Sequence, residues 1–145
     1  LINIMFTQLT EFATNNILLV VAFFTLIAVI IFNEVKNLGQ KFTKISPGAA
    51  VQLMNNNDDV VFLDVRESGE TTNGKITKAI QIPVGSVKER VAELKKHKDS
   101  PVVVYCKTGT RSSIACNALI SNGFSNVYNL TGGIISWQEA HLPIG

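Results

Sequence analysis

The hydrophobic and polar positions divide the chain into a uniformly apolar segment and a longer segment of alternating character. Residues 12–33 contain no charged side chain, and residues 17–32 (ILLVVAFFTLIAVIIF) are apolar except for Thr25. At ~1.5 Å per residue, a helix over the uncharged segment spans roughly 33 Å, about the thickness of a bilayer core. The pattern predicts one transmembrane helix, with residues 14–16 near one membrane interface.

Two other interpretations of the apolar segment are a secretory signal peptide and a buried core helix. A signal peptide carries a basic first region and a small-residue cleavage site, and neither pattern stands here. A core helix that is apolar on every face is unusual at the end of a small domain. We therefore expect residues 1–33 to form a membrane anchor and residues 34–41 to form a linker that continues the anchor helix for about one turn.

Residues 42–145 carry the alternating pattern of an α/β domain. Short runs rich in β-branched residues alternate with amphipathic segments, which is typical of a parallel sheet with helices on its faces. The runs predict five strands, at residues 42–45, 60–64, 79–82, 102–106 and 127–130. The amphipathic segments predict four helices, at residues 47–56, 86–96, 111–122 and 133–140.

Charge and composition fit an anchor joined to one globular domain. The 13 basic and 11 acidic side chains give a net charge of +2, so we expect no nucleic-acid partner. Charged residues make up only 17% of the chain, because residues 1–33 contribute Glu11 alone. Every basic side chain lies after this segment, beginning with Lys36, Lys41 and Lys44. The positive-inside rule therefore predicts a single-pass protein with its C-terminal domain in the cytoplasm.

The candidate chemistry lies where the strand at residues 102–106 ends on Cys106. Ligands bind at the carboxyl ends of strands in such sheets. A short loop follows the cysteine and leads into the next helix, and it consists of Lys107, Thr108, Gly109, Thr110 and Arg111. A loop this short points successive backbone N–H groups inward, above the positive end of the helix dipole.

This environment predicts a reactive cysteine. The backbone N–H groups, the helix dipole and the charges of Lys107 and Arg111 all favour thiolate over thiol at Cys106. We expect a lowered pKa and a nucleophilic role for Cys106, with residues 107–111 binding an anionic substrate. The alternative interpretation is that Cys106 is a small apolar residue that ends a buried strand.

The spacing Cys106-x-x-Gly109-x-Arg111 resembles the active-site loop of the rhodanese family of sulfurtransferases. Further segments resemble the other signatures of that family in the same order, and they are FLDVRE at residues 62–67, GKI at 74–76, AIQIP at 79–83, NLTGG at 129–133 with Trp137, and Leu142-Pro143. With its anchor, the chain is similar to the membrane-tethered single-domain rhodaneses of proteobacteria. The resemblance implies a three-layer α/β domain with a central parallel five-stranded sheet, held at the bacterial inner membrane.

The sequence departs from the family pattern in one segment. Lys75 stands where the family commonly has histidine, and Thr77 and Lys78 stand where it has Pro-Gly. Thr71 occupies a place often held by an aromatic residue. These departures concern the packing of residues 67–79 rather than the chemistry.

The resemblance implies sulfur transfer by double displacement. The Cys106 thiolate attacks a small anionic donor such as thiosulfate and becomes a persulfide. An acceptor thiol, which a protein can supply, or cyanide then removes the sulfur. Backbone N–H groups of residues 107–111 stabilise the charge, while Lys107 and Arg111 orient the donor. No metal or other cofactor is expected.

Two other functions are weighed against sulfur transfer. Cysteine phosphatases that share the fold use a Cys-x5-Arg loop, whereas four residues separate Cys106 from Arg111 here, so the loop is one residue shorter. The second alternative is a membrane-tethered persulfide carrier or docking module with little turnover. The presence of Cys106 argues against a purely structural role but not against a carrier.

Several other residues receive structural rather than chemical interpretations. Cys116 lies within the helix that follows the loop and is expected to face the core rather than to act as a resolving thiol. Asp64 and Arg66 are expected to form a structural ion pair at a strand end. Gly132 and Gly133 are expected to allow a close backbone approach beside the Cys106 loop.

Overall fold

The computed structural model describes residues 1–38 and 41–145, which belong to two compact units. The first unit consists of two helices, α1 (Ile2–Asn15) and α2 (Ile17–Leu38). Within α2, the stretch Ile17–Val35 has a mean hydropathy of 2.6, and none of its most apolar window is buried. This helix is long and apolar enough to cross a membrane, a property that signal sequences share.

The predicted linker begins inside this helix. Residues 34–38 continue α2 without a break, in line with the expected extension of the anchor helix into the linker. Residues 39 and 40, which also belong to the predicted linker, lie outside the described part of the chain.

The second unit, Lys41–Gly145, alternates strands and helices in the predicted order. Its strands are β1 (Thr43–Ile45), β2 (Val61–Asp64), β3 (Ile80–Gln81), β4 (Val102–Tyr105) and β5 (Val127–Leu130). Its helices are α3 (Pro47–Asn56), α4 (Val87–Arg90), α5 (Thr110–Ser121) and α6 (Gly133–Glu139). Shorter 3₁₀ segments lie at Ser68–Glu70, Val84–Ser86 and Val91–His97.

The five strands form one parallel sheet in the order β1-β5-β4-β2-β3. The predicted fold class, a parallel five-stranded sheet between helical layers, is confirmed. The strand β4 lies in the middle of the sheet, and its four residues are fully buried. The loop after β4 therefore starts from a strand that is held by a neighbouring strand on each side and by core residues on both faces.

Alternation along the strands builds a core on each face of the sheet. In β4, Val102 and Val104 pack on the face covered by α4 and α5. Val103 and Tyr105 point to the opposite face, which is covered by α3 and α6. Cys106 continues this alternation and lies on the α5 face.

The segment predicted as one helix at residues 86–96 is split between α4 and a 3₁₀ segment. In the 3₁₀ part, Val91, Leu94 and His97 recur every third residue and are less exposed than the residues between them. A 3₁₀ helix has three residues per turn, so this spacing places all three side chains on one face, from which Val91 and Leu94 pack into the core. The buried pattern therefore favours the tighter helix.

Candidate active site

Cys106 follows the central strand β4 and leads into a tight loop that ends at the start of α5. Its side chain is buried, with 1% of its surface exposed. Gly109, the residue before α5, has a φ of 109°, a conformation that favours glycine. This conformation turns the Gly109 N–H back toward the cysteine, where it donates to Sγ at 3.0 Å.

The surroundings of Cys106 lower the pKa of its thiol. Burial acts in the opposite direction, because the thiolate loses solvation. The hydroxyl and backbone N–H of Ser112 and the backbone N–H groups of Gly109 and Thr108 outweigh burial, because they donate to the charged form. The predicted lowering is confirmed, and its principal causes are hydrogen bonds rather than the charges of Lys107 and Arg111.

A buried side-chain network connects Cys106 to β5 through Asn129. The Ser112 hydroxyl has a single proton and two acceptors within reach, because its Oγ lies 2.6 Å from Asn129 Oδ1 and 3.5 Å from Cys106 Sγ. Asn129 Nδ2 donates to the Gly109 carbonyl at 3.1 Å and to Ser113 Oγ at 2.8 Å. The network ties the end of the loop and the start of α5 to the sheet, and it holds a hydroxyl beside the sulfur.

We predict that Ser112→Ala raises the pKa of Cys106, since the variant removes a hydroxyl that favours the thiolate. Thiolate at neutral pH should fall roughly threefold to tenfold, which corresponds to a modest loss of hydrogen-bond stabilisation. Thiolate ultraviolet absorbance, corrected with Cys106→Ser, measures the titration midpoint. Ser121→Ala is the control, because the exposed Ser121 hydroxyl donates to Asn117 at the other end of α5. Equal midpoints for Ser112→Ala and wild type would contradict the assignment.

Arg111 is engaged by an acidic partner that the sequence interpretation did not include. Its guanidinium donates to both carboxylate oxygens of Glu70, at 2.6 and 2.7 Å. The Arg111 hydrogen bond and the backbone N–H of Glu67 hold the pKa of Glu70 at about 2. The expected role of Arg111 in orienting a donor stays a prediction, and the structure adds that Glu70 is paired with its charge. The pair also fastens the start of α5 to the Ser68–Glu70 turn.

A cleft of about 330 Å³ opens beside the loop. Its lining includes Lys107 from the loop, Glu70 and Asn73 from the segment after β2, and Ile135 and Gln138 from α6. Such a volume suits a small organic molecule. Lys107, Thr108 and Thr110 expose their side chains to solvent at this edge of the sheet.

A buried ion pair at the end of β2 supports one wall of the cleft. Arg66 Nη2 lies 2.6 Å from Asp64 Oδ2, and other guanidinium N–H groups donate to the carbonyls of Glu70 and Gly74. The predicted structural role of this pair is confirmed. Nearby, Lys75, which stands where the family commonly has histidine, donates from Nζ to the Ala79 carbonyl at 2.9 Å. This hydrogen bond connects the two ends of the segment 75–79.

Gly133 brings α6 against the backbone of the Cys106 loop, whereas a Cβ at Gly132 would collide with Ser136 of α6 itself. Gly133 has a φ of 57°, and a Cβ there would collide with the carbonyl oxygens of Cys106 and Lys107. The N–H of Ile134 donates to the Cys106 carbonyl at 2.9 Å. The predicted close backbone approach is confirmed at Gly133, and it closes the loop from the side of α6.

Cys116 is a core residue, as predicted. It is fully buried on the face of α5 that packs on the sheet, and its thiol donates to the Tyr128 carbonyl at 3.7 Å. Burial raises the pKa of the Cys116 thiol, so its environment acts opposite to that of Cys106. The structure therefore favours the thiolate at Cys106 and the thiol at Cys116, although the two residues lie close together in the sequence.

Three residues of the site were missed by the sequence interpretation: Glu70, Ser112 and Asn129. The spacing Glu67-x-x-Glu70 matches a capping box, which the structure contains, and it could have marked the turn. Ser112 and Asn129 lie on different elements, and their contact depends on the pairing of β4 with β5. In residues 1–38 and 41–145, no cluster of three or more His, Cys, Asp or Glu side chains could hold a metal ion.

Comparison with protein-family models matches residues 46–140 to the rhodanese-like domain. A sulfurtransferase of Allochromatium vinosum is 40% identical over 64% of this chain and 85% of its own length. The uncharacterized protein YibN of Escherichia coli strain K12 is 31% identical over 94% of this chain and 96% of its own. That second likeness extends beyond the α/β domain into the N-terminal helices.

Other relatives carry different functional descriptions. The tRNA uridine(34) hydroxylase of Photorhabdus laumondii is 37% identical over 65% of this chain but only 29% of its own length. A rhodanese-related protein of Thermoplasma volcanium has a TM-score of 0.62 at 32% identity, covering 72% of this chain and 98% of that one. A Rhodopseudomonas palustris protein, described as a possible tyrosine phosphatase, has a TM-score of 0.65 at 26% identity, covering 72% and 85%.

Proposed function

The chain belongs to the rhodanese family, and from that premise we propose that it is a sulfurtransferase in which Cys106 carries the transferred sulfur as a persulfide. The observation that supports this role most strongly is the arrangement of donors around the Cys106 sulfur. Backbone N–H groups and the Ser112 hydroxyl favour an anionic sulfur at that point. Such donors stabilise a persulfide anion in the same way as a thiolate.

The first half-reaction loads the cysteine from an anionic donor such as thiosulfate. The Cys106 thiolate attacks the outer sulfur of thiosulfate, an S–S bond forms at Cys106, and the S–S bond of thiosulfate breaks. Sulfite leaves with the electron pair of that bond, and Cys106 becomes a persulfide anion. The nucleophile is ionised at the start, so the step needs no general base.

The second half-reaction passes the outer sulfur to an acceptor. A thiolate or cyanide attacks that sulfur, the S–S bond at Cys106 breaks, and the Cys106 thiolate is restored. The cleft beside Lys107 leads to the loop, and its size admits a small thiol or an extended side chain of a protein. Lys107 is the side chain that meets incoming donors and acceptors at the mouth of this cleft, where the cleft opens to solvent.

We further propose that α2 anchors this activity in the bacterial inner membrane as a single span, with the α/β domain in the cytoplasm. The apolar stretch Ile17–Val35 supports the span, and the lysines that follow it support the orientation. Protease added to intact spheroplasts should leave the α/β domain uncut, and permeabilised cells should lose it. Cleavage of the domain in intact spheroplasts would reverse the proposed orientation.

A comparison of two activities on the full-length chain tests the proposed function. Wild-type protein is assayed for sulfur transfer from thiosulfate and from cysteine persulfide, to cyanide and to a small thiol. The same preparation is assayed for hydrolysis of an aryl phosphate ester. We expect sulfur transfer and no ester hydrolysis above background. Hydrolysis without sulfur transfer would favour the phosphatase alternative.

The carrier alternative predicts a different outcome of the same assays. A carrier would take one sulfur from the donor in a single turnover and release it slowly. Binding partners recovered equally by wild type and Cys106→Ser, without any sulfur loading, would support a docking module instead. Multiple turnovers by wild type exclude both alternatives.

A further inference from the structure

The ion pair between Glu70 and Arg111 joins the turn after β2 to the start of α5, beside the Cys106 loop. Both side chains are about one-third exposed, at 33% and 32%, so they lie at the mouth rather than in the core. Glu70 uses both carboxylate oxygens on the guanidinium and also accepts the N–H of Glu67 at 3.0 Å. These contacts hold the acid in place against the only arginine on α5.

The other charged groups of the site leave little net positive charge. Among the described residues of the loop and cleft, the cations are Arg66, Lys107 and Arg111. Arg66 is paired with Asp64, and Arg111 is paired with Glu70. Lys107 is the cation without an ion-pair partner in this described region.

An exposed acid opposes the single free cation of the described loop and cleft. Glu67 lies close enough for its charge to act on Arg111, and its carboxylate faces solvent beside the same turn. The charges of Lys107 and Glu67 sum to zero, and the Cys106 thiolate adds a negative charge. With this balance of charge, we expect a dianion that approaches the cleft to gain no net electrostatic attraction.

We propose that Glu70 is a specificity-determining residue that disfavours dianionic sulfur donors and leaves neutral or singly charged organic persulfides as the preferred ones. Glu70 acts by neutralising Arg111, which would otherwise attract a dianion such as thiosulfate. The inference rests on the proposed function, since it concerns which donor loads Cys106 with sulfur.

The two donors load Cys106 through balanced steps that differ in the charge brought to the site. Thiosulfate brings two negative charges and leaves as sulfite with two. A protonated persulfide, R–S–SH, presents a neutral reacting group. The Cys106 thiolate attacks its outer sulfur, the S–S bond of the persulfide breaks, and R–S⁻ leaves with the electron pair. Cys106 then holds the –S–SH group, including the proton.

Glu70→Gln in the full-length chain tests the proposal directly. The amide can still accept hydrogen bonds from Arg111 and from the Glu67 N–H, but it removes the compensating charge. We expect the ratio of kcat/KM for thiosulfate to kcat/KM for cysteine persulfide to rise about tenfold, as expected for one unmasked charge near a dianion. If Glu70 had only a structural role, its substitution would change kcat/KM for both donors by the same factor, and the ratio would stay the same.

Two further variants identify the charge responsible. Adding Arg111→Gln to Glu70→Gln should abolish the gain for thiosulfate, because the freed guanidinium is its source. Glu93→Gln is the matched control, since Glu93 forms an exposed pair with Arg90 at 2.7 Å outside the cleft. The control should leave the donor ratio at the wild-type value.

Salt dependence gives a test that needs no variant. As ionic strength rises from about 0.01 to 0.15 M, the screening length falls from roughly 30 to 8 Å. Wild-type kcat/KM for thiosulfate should stay constant or rise. A tenfold fall would show that the charges around the cleft attract the dianion, and it would overturn the proposal.

The possible results separate the two proposals. A wild-type chain that accepts sulfur from neither donor overturns the proposed function. A chain that accepts sulfur from both donors, with a ratio unchanged or lowered in Glu70→Gln, overturns the role of Glu70 alone. A raised ratio that persists in the double variant also overturns it, because the gain would not come from Arg111.

Discussion

Cys106→Ser is expected to reduce sulfur transfer to the uncatalysed rate, a loss of roughly 10³-fold or more, as when a covalent nucleophile is removed from an enzyme. A serine hydroxyl at this position is not ionised near neutral pH and cannot carry sulfane sulfur. The fold should survive, because serine is close to cysteine in size and the hydrogen-bond donors around Sγ remain available. Steady-state transfer from thiosulfate and from cysteine persulfide measures the loss.

Cys116→Ala is the matched control for the loss of a thiol. Cys116 is buried in the α5 core and its pKa is raised, so it should not take part in transfer. We expect activity near that of wild type, together with a modest fall in the free energy of unfolding from the small cavity. Full activity in Cys106→Ser, or its loss in Cys116→Ala with an intact fold, would show that Cys106 is not the reactive thiol.

Gly133→Ala is expected to destabilise the fold and to displace the Cys106 loop, although residue 133 lies outside that loop. The added Cβ would lie 2.5 Å from the Lys107 carbonyl oxygen and would also collide with the Cys106 carbonyl oxygen. Alanine is strained at the φ of 57°, so the variant combines backbone strain with overpacking. We expect a loss of about 2–5 kcal/mol in the free energy of unfolding, measured by chemical denaturation.

The same variant should reduce activity even where it remains folded. The Cys106 loop must move away from α6, and a displacement of about 1 Å at a reacting group can cost roughly 10²-fold in rate. Gly48→Ala is the control, because Gly48 lies in α3 and a Cβ added there would meet no atom within 4 Å. That change should stabilise the fold by about 0.5–1 kcal/mol. Similar effects from the two substitutions would contradict the packing described for Gly133.

Local sequence patterns predicted the features that depend on neighbouring residues. The strand that ends on Cys106, the tight loop closed by Gly109 and the start of α5 all follow from one continuous segment. The core position of Cys116 follows from its place in the helix after the loop. The parallel sheet follows from the alternation of apolar runs with amphipathic helices.

Features that depend on distant segments could not be read from the sequence. Glu70 and Arg111 are far apart along the chain, and their contact depends on how the turn after β2 lies over the start of α5. The charge of Arg111 therefore looked free when the chain was considered locally. Asn129 is a similar case, because an asparagine in a strand gives no sign that it faces the Cys106 loop until β5 is paired with β4.

The mass of the intact full-length protein after exposure to a sulfur donor tests the central claim most directly. After incubation with cysteine persulfide and removal of the donor, wild type should gain the mass of one sulfur atom, located on the peptide that contains Cys106. Addition of cyanide or an acceptor thiol should remove that mass, and Cys106→Ser should never acquire it. A wild-type chain that turns over sulfur donors without gaining this mass, or that carries the sulfur on Cys116, would contradict the persulfide mechanism.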